Sequence, residues 1–259
     1  MDPRKLSELD PFLKEKGLKP KKSLSQNFLI DTNVLKKIVK TAGILPNEQV
    51  LEIGPGPGGL TKTLIEAGAI VTAVEIDKKY AELLPHHIKS QNLTVICKDF
   101  LEFIPTSSYT VVANIPYHIS TSIIEKLADH IDLFPKIFLT VQKEFAERLL
   151  CKKPSSAISI FIDFYFDASI SFTISKDCFY PKPKVPSAVL ALISKKTLPL
   201  PNPKLFITFI KYLFQHRRKM IKSILKSSDL TEARPEALHL EQFIQLFLFL
   251  QKEKRLPIE

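Results

Sequence analysis

The sequence has 259 residues, is 45% hydrophobic and carries a formal net charge of +10, so it can bury a core for one large or two smaller domains. No apolar stretch is long enough to predict a membrane-spanning helix. Three cysteines without paired spacing argue against a disulfide framework and against a zinc site, and they predict a protein of the reducing cytoplasm.

The amino-terminal segment is rich in lysine. Residues 1–22 show no hydrophobic period, and five lysines stand between positions 14 and 22 against a single glutamate. We therefore predict a mobile basic arm over residues 1–22. After it, Asp31 is placed to cap a helix whose apolar positions run from Val34 to Val39 and which should lie against a sheet.

A glycine-rich segment follows the first predicted strand, residues 50–53. Four of the seven glycines lie between positions 54 and 59, where they permit positive φ and the close approach of a ligand to the main chain. The spacing satisfies the dinucleotide pattern G-x-G-x-x-G. However, Pro55 and Pro57 remove two backbone N–H groups that a pyrophosphate would need. The segment therefore favours S-adenosylmethionine, which has no phosphate, over a dinucleotide.

Two acidic residues follow the next two predicted strands. Glu75 ends the strand over residues 70–74 and lies about 20 residues after Gly54, the spacing of a carboxylate that binds ribose hydroxyls. Asp99 comes just after the strand over residues 93–96 and is predicted to accept a hydrogen bond from an adenine amino group. In an open α/β sheet these strand ends meet at one edge, so we predict the cofactor site there.

The segment Asn114-Ile115-Pro116-Tyr117 follows an apolar strand predicted over residues 109–113. Pro116 keeps Ile115 out of the helical region, so the segment should leave the strand as a rigid loop. The Asn114 side-chain oxygen and the Ile115 carbonyl are predicted to accept from both protons of an exocyclic amine such as adenine N6. Tyr117 would stack on the base, a contact worth about 1 to 3 kcal/mol. The alternative is a structural turn with a buried tyrosine.

Two later runs of β-branched and aromatic residues, 157–166 and 187–194, are predicted to be the antiparallel strands that complete the sheet. The proline-rich residues 179–186 lie between them. Phe179 heads this loop, and it would either cover the base from the face opposite Tyr117 or pack in the core.

The carboxyl-terminal part of the chain is helical and basic in its pattern. Three prolines between positions 197 and 204 predict a domain boundary, and residues 199–259 carry +5 of the net charge of +10. Helical apolar spacing across residues 206–225 predicts a small helical domain, and six basic residues without an acid between positions 211 and 226 predict contacts with an RNA backbone. The predicted RNA-binding residues are Lys21, Lys22, Arg217, Arg218, Lys219 and Lys222.

Together these motifs resemble those of the ribosomal RNA adenine N6-dimethyltransferases, most closely the small-subunit (16S) enzymes of the KsgA/RsmA family. The resemblance implies an α/β fold, namely a Rossmann-like seven-stranded S-adenosylmethionine-dependent methyltransferase sheet with a small C-terminal all-helical domain. It divides the chain into a basic arm over residues 1–22, a catalytic domain over 23–198 and a helical RNA-binding domain over 199–259. The motifs that carry it are Ser25-Gln26-Asn27-Phe28-Leu29, Glu52-Ile53-Gly54-Pro55-Gly56, Glu75-Ile76-Asp77, Asn114-Ile115-Pro116-Tyr117, Gln142-Lys143-Glu144, Pro181-Lys182-Pro183-Lys184-Val185 and Arg217-Arg218-Lys219.

The resemblance implies N6,N6-dimethylation of two adjacent adenines in a 3′-terminal hairpin of small-subunit rRNA during ribosome biogenesis. It further implies a cytoplasmic monomer that acts on a pre-ribosomal small subunit, without a metal and without a membrane. The expected cofactor-binding residues are Asn27, Leu29, Gly54, Gly56, Glu75, Asp99 and Asn114, and the expected catalytic residues are Asn114, Ile115, Pro116, Tyr117 and Phe179.

Several alternatives remain open at the level of sequence. The large-subunit (23S) enzymes of the macrolide-resistance type share the catalytic loop, and an RNA-binding assembly factor with secondary catalysis would carry the same motifs. A DNA adenine methyltransferase and an NAD oxidoreductase fit less well. Two departures from the family pattern stand at residues 153–156, where many relatives have Tyr and Gly, and at His216, where they have an amide.

Overall fold

The computed structural model describes residues 1–21, 24 and 26–258. The chain divides into two compact units, one of Met1–Ala146 with Ser169–Ser194 and the other of Glu147–Ala168 with Lys195–Glu259. Residues 147–168 thus group with the carboxyl-terminal part of the chain. The functional division at residues 22 and 198 stays a prediction.

A seven-stranded sheet in the order β4-β3-β2-β5-β6-β9-β7 forms the centre of the first unit. Strands β2 to β6 run parallel to one another, and β9 is antiparallel to β6. Strands β1 and β8 form a separate antiparallel pair. The sheet confirms the predicted α/β class. The strands are β1 Phe28–Leu29, β2 Gln49–Ile53, β3 Ile70–Glu75, β4 Leu93–Cys97, β5 Thr110–Asn114, β6 Lys136–Gln142, β7 Phe166–Ile174, β8 Phe179–Tyr180 and β9 Ser187–Ser194.

The described part of the chain contains ten α-helices. In the helix Thr32–Ala42, the Asp31 carboxylate accepts hydrogen bonds from the backbone N–H groups of Asn33 and Val34, and Gly43 ends the helix with a φ of 62°. No helix among the described residues is long and apolar enough to cross a membrane. The helices are α1 Leu6–Glu15, α2 Thr32–Ala42, α3 Gly59–Glu66, α4 Lys78–His87, α5 Ser120–Asp129, α6 Lys143–Leu150, α7 Ala157–Tyr165, α8 Pro203–Gln215, α9 Ile221–Ile224 and α10 Leu240–Lys252.

The amino-terminal residues form a packed helix, which corrects the prediction of a mobile arm over residues 1–22. Leu9 and Leu13 of α1 are buried, and with Leu18 they form an apolar cluster with Phe28 and Tyr80. The prediction was wrong because only a few apolar residues stand among many lysines. Their partners lie on β1 and α4, far away in sequence, so local periodicity does not reveal the packing.

Residues 157–165 form α7, whereas a strand was predicted over 157–166. Ser156 and Ser159 cap its first turn reciprocally. The helix is apolar all round, as expected of a buried segment, and Phe164 packs on Phe206 of α8 with ring centroids 4.9 Å apart. Tertiary burial therefore overrides the β-propensity of the isoleucines and phenylalanines. The strand β7 follows directly, and the predicted strand over residues 187–194 is confirmed as β9.

The second unit has a phenylalanine-rich core between α8 and α10. Phe206 and Phe209 of α8 each pack on Phe247 of α10, with ring centroids 5.4 and 5.6 Å apart. The Asn202 side chain accepts from the backbone N–H of Leu205 and caps α8. These helices agree with the helical spacing predicted for this part of the chain.

Candidate active site

A cavity of about 220 Å³ lies in the first unit at the carboxyl ends of the parallel strands. It joins the glycine-rich segment after β2, the ends of β3 and β4, and the loop after β5. No cluster of His, Cys, Asp or Glu within the described ranges could hold a metal ion. The predicted site residues that line the cavity are Asn27, Gly54, Gly56, Glu75, Asp99, Asn114, Ile115, Pro116 and Tyr117.

The glycine-rich segment needs glycine where the chain passes Phe28. Gly56 has a φ of 52°, and a Cβ atom added there would lie 2.9 Å from the Phe28 ring. Both a positive φ and this close approach exclude larger residues. The main chain of the segment therefore forms a bare wall of the cavity.

Glu75 is fixed at the end of β3 by two backbone hydrogen bonds. Its Oε2 accepts from the N–H of Gly56 at 2.9 Å, and its Oε1 accepts from the N–H of Asp77 at 2.8 Å. The side chain is only 3% exposed, and this burial raises its pKa above the usual range of a glutamate. Each oxygen keeps a further lone pair that can accept from a hydroxyl group.

A second buried carboxyl group, Glu52, lies behind the glycine-rich segment on β2. Thr61 Oγ1 donates to its Oε2 at 2.6 Å, and Glu52 is 2% exposed. Burial raises the pKa of Glu52 to about 8, with the nearby Glu75 carboxylate contributing in the same direction. Glu52 had no predicted role of its own. An acidic residue inside an apolar strand nevertheless indicates a buried polar side chain with a function.

Asp99 caps the short turn that follows β4. Its Oδ1 accepts from the backbone N–H of Leu101 at 2.9 Å. None of the described residues donates a hydrogen bond to the other carboxylate oxygen, which can accept from a ligand in the cavity. Both Phe100 and Leu101 also line the cavity, and the sequence analysis missed them because an apolar residue after a strand carries no distinctive signal.

Asn114 has one end of its amide anchored. Its Nδ2 donates to the main-chain carbonyl of Asn27 at 2.8 Å, so Oδ1 is the end that can accept from a ligand. The carbonyl of Pro116 accepts from the Ser120 hydroxyl at 3.2 Å. In contrast, the carbonyl of Ile115 receives no hydrogen bond from the described residues. The loop thus offers two acceptors, Asn114 Oδ1 and the Ile115 carbonyl, next to one another in sequence.

Tyr117 is positioned by a residue that the sequence analysis missed. Its hydroxyl lies 2.7 Å from Ser187 Oγ on β9, and Ser187 is fully buried. Burial raises the pKa of Tyr117, so the phenol is neutral at physiological pH. The hydrogen bond joins residues 70 positions apart, which is why a single stretch of sequence does not predict it. His118 and Ile76, also missed, line the cavity from exposed positions.

Leu29 and Phe179 lie in the core and are not among the residues that line the cavity. They pair with each other across β1 and β8, and they are 5% and 3% exposed. This agrees with the core alternative for Phe179. Roles for either residue at the cofactor or the base stay predictions.

The predicted RNA-binding residues have different surroundings. Lys21 Nζ lies 2.7 Å from Oδ2 of the buried Asp77, and Lys222 forms an ion pair with Glu232. Lys22 lies outside the described residues. The exposed turn after α8 holds Arg217, Arg218 and Lys219, and their role in RNA binding stays a prediction.

Known proteins match nearly the whole chain. Residues 17–246 match the family model described as ribosomal RNA adenine dimethylase. A ribosomal RNA small subunit methyltransferase A from Protochlamydia amoebophila is 38% identical over 97% of this chain and 98% of that protein. The protein of the same name from Mycoplasmopsis pulmonis is 41% identical over 81% of this chain and 84% of that protein.

Solved structures agree with the fold. A dimethyladenosine transferase from Plasmodium falciparum has a TM-score of 0.76 and 26% identity, covering 86% of this chain and 96% of that chain. The 23S rRNA methyltransferase ErmE has a TM-score of 0.67 and 24% identity, covering 88% of this chain and 99% of that chain, and shows the same fold. The resemblance drawn from the sequence motifs is confirmed.

Proposed function

The chain belongs to the ribosomal RNA adenine dimethylase family, and we propose that it dimethylates N6 of two adjacent adenines in a 3′-terminal hairpin of small-subunit rRNA. The observation that carries the proposal is the anchored amide of Asn114. Its nitrogen is used by the Asn27 carbonyl, so its oxygen faces a ligand as an acceptor. The matching small-subunit methyltransferases support the choice of RNA.

The cavity residues fit S-adenosylmethionine, the cofactor of this family. Glu75 offers acceptor lone pairs for ribose hydroxyls, and Asp99 offers a carboxylate oxygen for the adenine amino group. Gly56 leaves a bare main chain where a Cβ atom would already collide with Phe28. When bound, S-adenosylmethionine supplies a methyl group on a positively charged sulfur atom.

The loop after β5 prepares the amine. Asn114 Oδ1 and the Ile115 carbonyl accept hydrogen bonds from the two protons of N6, which draws the nitrogen toward a tetrahedral shape and frees its lone pair. Tyr117 stacks on the extruded base and offsets part of the few kcal/mol that unstacking costs. No strong base is required among the side chains, because the neutral amine reacts first and its proton leaves afterwards.

The basic residues are proposed to bind the RNA backbone within a pre-ribosomal small subunit in the cytoplasm, with the protein acting as a monomer. The net charge of +10 and the exposed turn of Arg217, Arg218 and Lys219 support contacts with phosphates. These contacts supply affinity and orientation, whereas the cavity selects the base.

The test is transfer of labelled methyl groups to undermethylated small subunits and, in parallel, to large subunits, followed by nucleoside mass spectrometry. N6,N6-dimethyladenosine in the small-subunit RNA is the expected product. Label only in the large subunit would move the protein to the macrolide-resistance type, and label in neither would leave an assembly factor.

The catalytic control in this assay is Asn114→Ala. We expect it to abolish transfer while leaving cofactor affinity largely unchanged, since the truncated Oδ1 is the acceptor assigned to the substrate amine. A large loss of cofactor affinity instead would show that Asn114 serves the cofactor and not the base.

A further inference from the structure

His87, the last residue of α4, contacts the glycine-rich segment. Its Nε2 lies 2.8 Å from the carbonyl oxygen of Pro57, and its Nδ1 lies 2.9 Å from the carbonyl oxygen of Leu83. The side chain is half-buried. Pro57 follows Gly56, which lines the cavity, and lies 30 residues from His87 in sequence. None of the predicted roles in the sequence includes His87.

Both partners of the ring are carbonyl oxygens, which can only accept. A neutral imidazole has one N–H donor and one lone pair, so in either tautomer one of its nitrogens would oppose a carbonyl lone pair. Both interactions are hydrogen bonds only when the ring carries two protons. The carboxyl-terminal end of α4 also favours a positive charge at this position.

The Pro57 carbonyl depends on this interaction. Within the described ranges, the His87 ring is the hydrogen-bond partner of this carbonyl, and two neighbouring N–H groups of the segment donate elsewhere. The N–H of Gly58 donates to the Pro55 carbonyl at 3.0 Å, and the N–H of Gly56 donates to Glu75. His87 and Glu75 thus hold the same short stretch of main chain through two different peptide groups.

We propose that doubly protonated His87 is a positioning residue that holds the glycine-rich segment in the shape that binds S-adenosylmethionine. The inference rests on the proposed function, because that segment is assigned to the cofactor there. Loss of one ring proton removes one of the two hydrogen bonds and loosens the link between α4 and the segment. Cofactor affinity therefore weakens when the ring loses its second proton.

The surroundings of the ring contain few competing charges. On α4 the neighbouring titratable groups are His86 and Glu82, and the glycine-rich segment has none. From α1, the Phe12 ring lies 5.5 Å from the His87 ring, and Lys16 Nζ lies 6.0 Å from the Phe12 ring centroid. Glu75 lines the cavity and Glu52 lies on β2. Burial raises the pKa of both, so a pH profile of the unaltered protein contains their protonation as well.

A matched pair of variants separates these contributions. His87→Gln keeps an amide that can reach one carbonyl but cannot carry a second proton, and His86→Gln changes the adjacent, exposed histidine of the same helix. The dissociation constant of S-adenosylmethionine is measured by calorimetry at about pH 6 and about pH 8 for the unaltered protein and both variants. Because Glu52 and Glu75 are present in all three proteins, their contribution cancels in the comparison.

We expect affinity to fall between these pH values by about threefold to tenfold more in the unaltered protein and in His86→Gln than in His87→Gln, which corresponds to the loss of one ordinary hydrogen bond. Parallel pH profiles for the unaltered protein and His87→Gln would overturn the proposal.

A second measurement does not depend on the cofactor. Nitrogen chemical shifts of the histidine rings in the free protein, assigned with His87→Gln, should show two protonated nitrogens on His87 at about pH 6. A neutral His87 ring at that pH would overturn the proposal. Failure of the unaltered protein to bind S-adenosylmethionine at any pH would instead refute the proposed function and leave this readout intact.

Discussion

The hydroxyl and the aromatic ring of Tyr117 have different proposed roles. The hydroxyl is hydrogen-bonded to the buried Ser187, 2.7 Å away, and the side chain lines the cavity. Ser187 lies on β9, the strand antiparallel to β6, so the antiparallel part of the sheet also fixes the aromatic side chain. The hydroxyl thereby orients the ring that is proposed to stack on the base.

Two substitutions at this position separate the roles. Tyr117→Ala removes the stacking surface and should lower kcat/KM for methyl transfer by the equivalent of about 1 to 3 kcal/mol. Tyr117→Phe keeps the ring and loses one neutral hydrogen bond, about 0.5 to 1.5 kcal/mol. Both are measured with undermethylated small subunits, with cofactor affinity as the control. Equal losses in the two variants would mean that the hydroxyl, not the ring, matters.

Glu52 is a buried acid whose protonation changes on unfolding. Its pKa is about 8 in the folded protein, against 4.5 for an ordinary glutamate, chiefly because of burial. Between these values the folded state holds a proton that the unfolded state has released. The free energy of unfolding therefore falls as the pH rises from about 4.5 to about 8, and the dependence ends above that range.

Glu52→Gln should remove this contribution, because the amide keeps an acceptor for Thr61 and does not titrate. Denaturant unfolding is measured at about pH 5 and about pH 8. We expect the unaltered protein to lose stability between these pH values relative to Glu52→Gln, by an amount on the order of a few kcal/mol. The exposed Glu82→Gln serves as the control, and an unchanged pH dependence in Glu52→Gln would contradict the assignment.

At the scale of elements, helix α1 supports the cofactor cavity. Its buried leucines pack on Phe28, whose ring touches the glycine-rich segment, and its Phe12 contacts His87. Arg4, just before the helix, forms ion pairs with Asp2 and with Glu66 of α3. The amino-terminal residues thus pack against both helices that flank the glycine-rich segment.

Adjacent substitutions in α1 test this role. Leu13→Ala should cost about 2 to 5 kcal/mol of stability and weaken cofactor binding, because it opens the cluster around Phe28. Lys14→Ala removes an exposed ion pair with Asp10 and should change stability by about 0.5 kcal/mol or less. Thermal unfolding and cofactor titration measure both. If α1 were a free RNA-binding arm, Lys14→Ala would affect RNA binding and Leu13→Ala would leave the cofactor untouched.

The elements that the sequence predicts well are those set by local chemistry. Gly54 and Gly56, the acids at or just after the ends of β3 and β4, and the loop from Asn114 to Tyr117 all lie within a few residues of a strand end, so their spacing alone brings them together. Helix α7 and helix α1 were mispredicted because their structure depends on distant partners, Phe206 in one case and Tyr80 in the other. Ser187 and His87 were missed for the same reason, since each acts on a residue tens of positions away.

At the scale of the whole molecule, the cavity and the protein surface carry different kinds of charged groups. The cavity holds carboxylates and an uncharged loop, while the net charge of +10 reflects an excess of surface lysine and arginine. Binding to a polyanion through such residues releases counterions, so affinity falls as salt rises. Affinity for RNA and recognition of the base should therefore respond differently to ionic strength.

The exposed turn after α8 tests this division. Replacing Arg217, Arg218 and Lys219 by alanine should lower affinity for undermethylated small subunits and reduce the slope of log K against log salt concentration by about 2 to 3, roughly 0.7 to 0.9 for each phosphate that the variant no longer neutralises. A control variant with Lys36, Lys40 and Lys89 replaced removes the same charge from other exposed positions. Filter binding across a salt series measures both, and cofactor affinity should stay constant in each. Because net charge is equal in the two variants, a larger slope change in the first identifies phosphate binding at that turn, whereas equal changes would attribute binding to the overall charge of the protein.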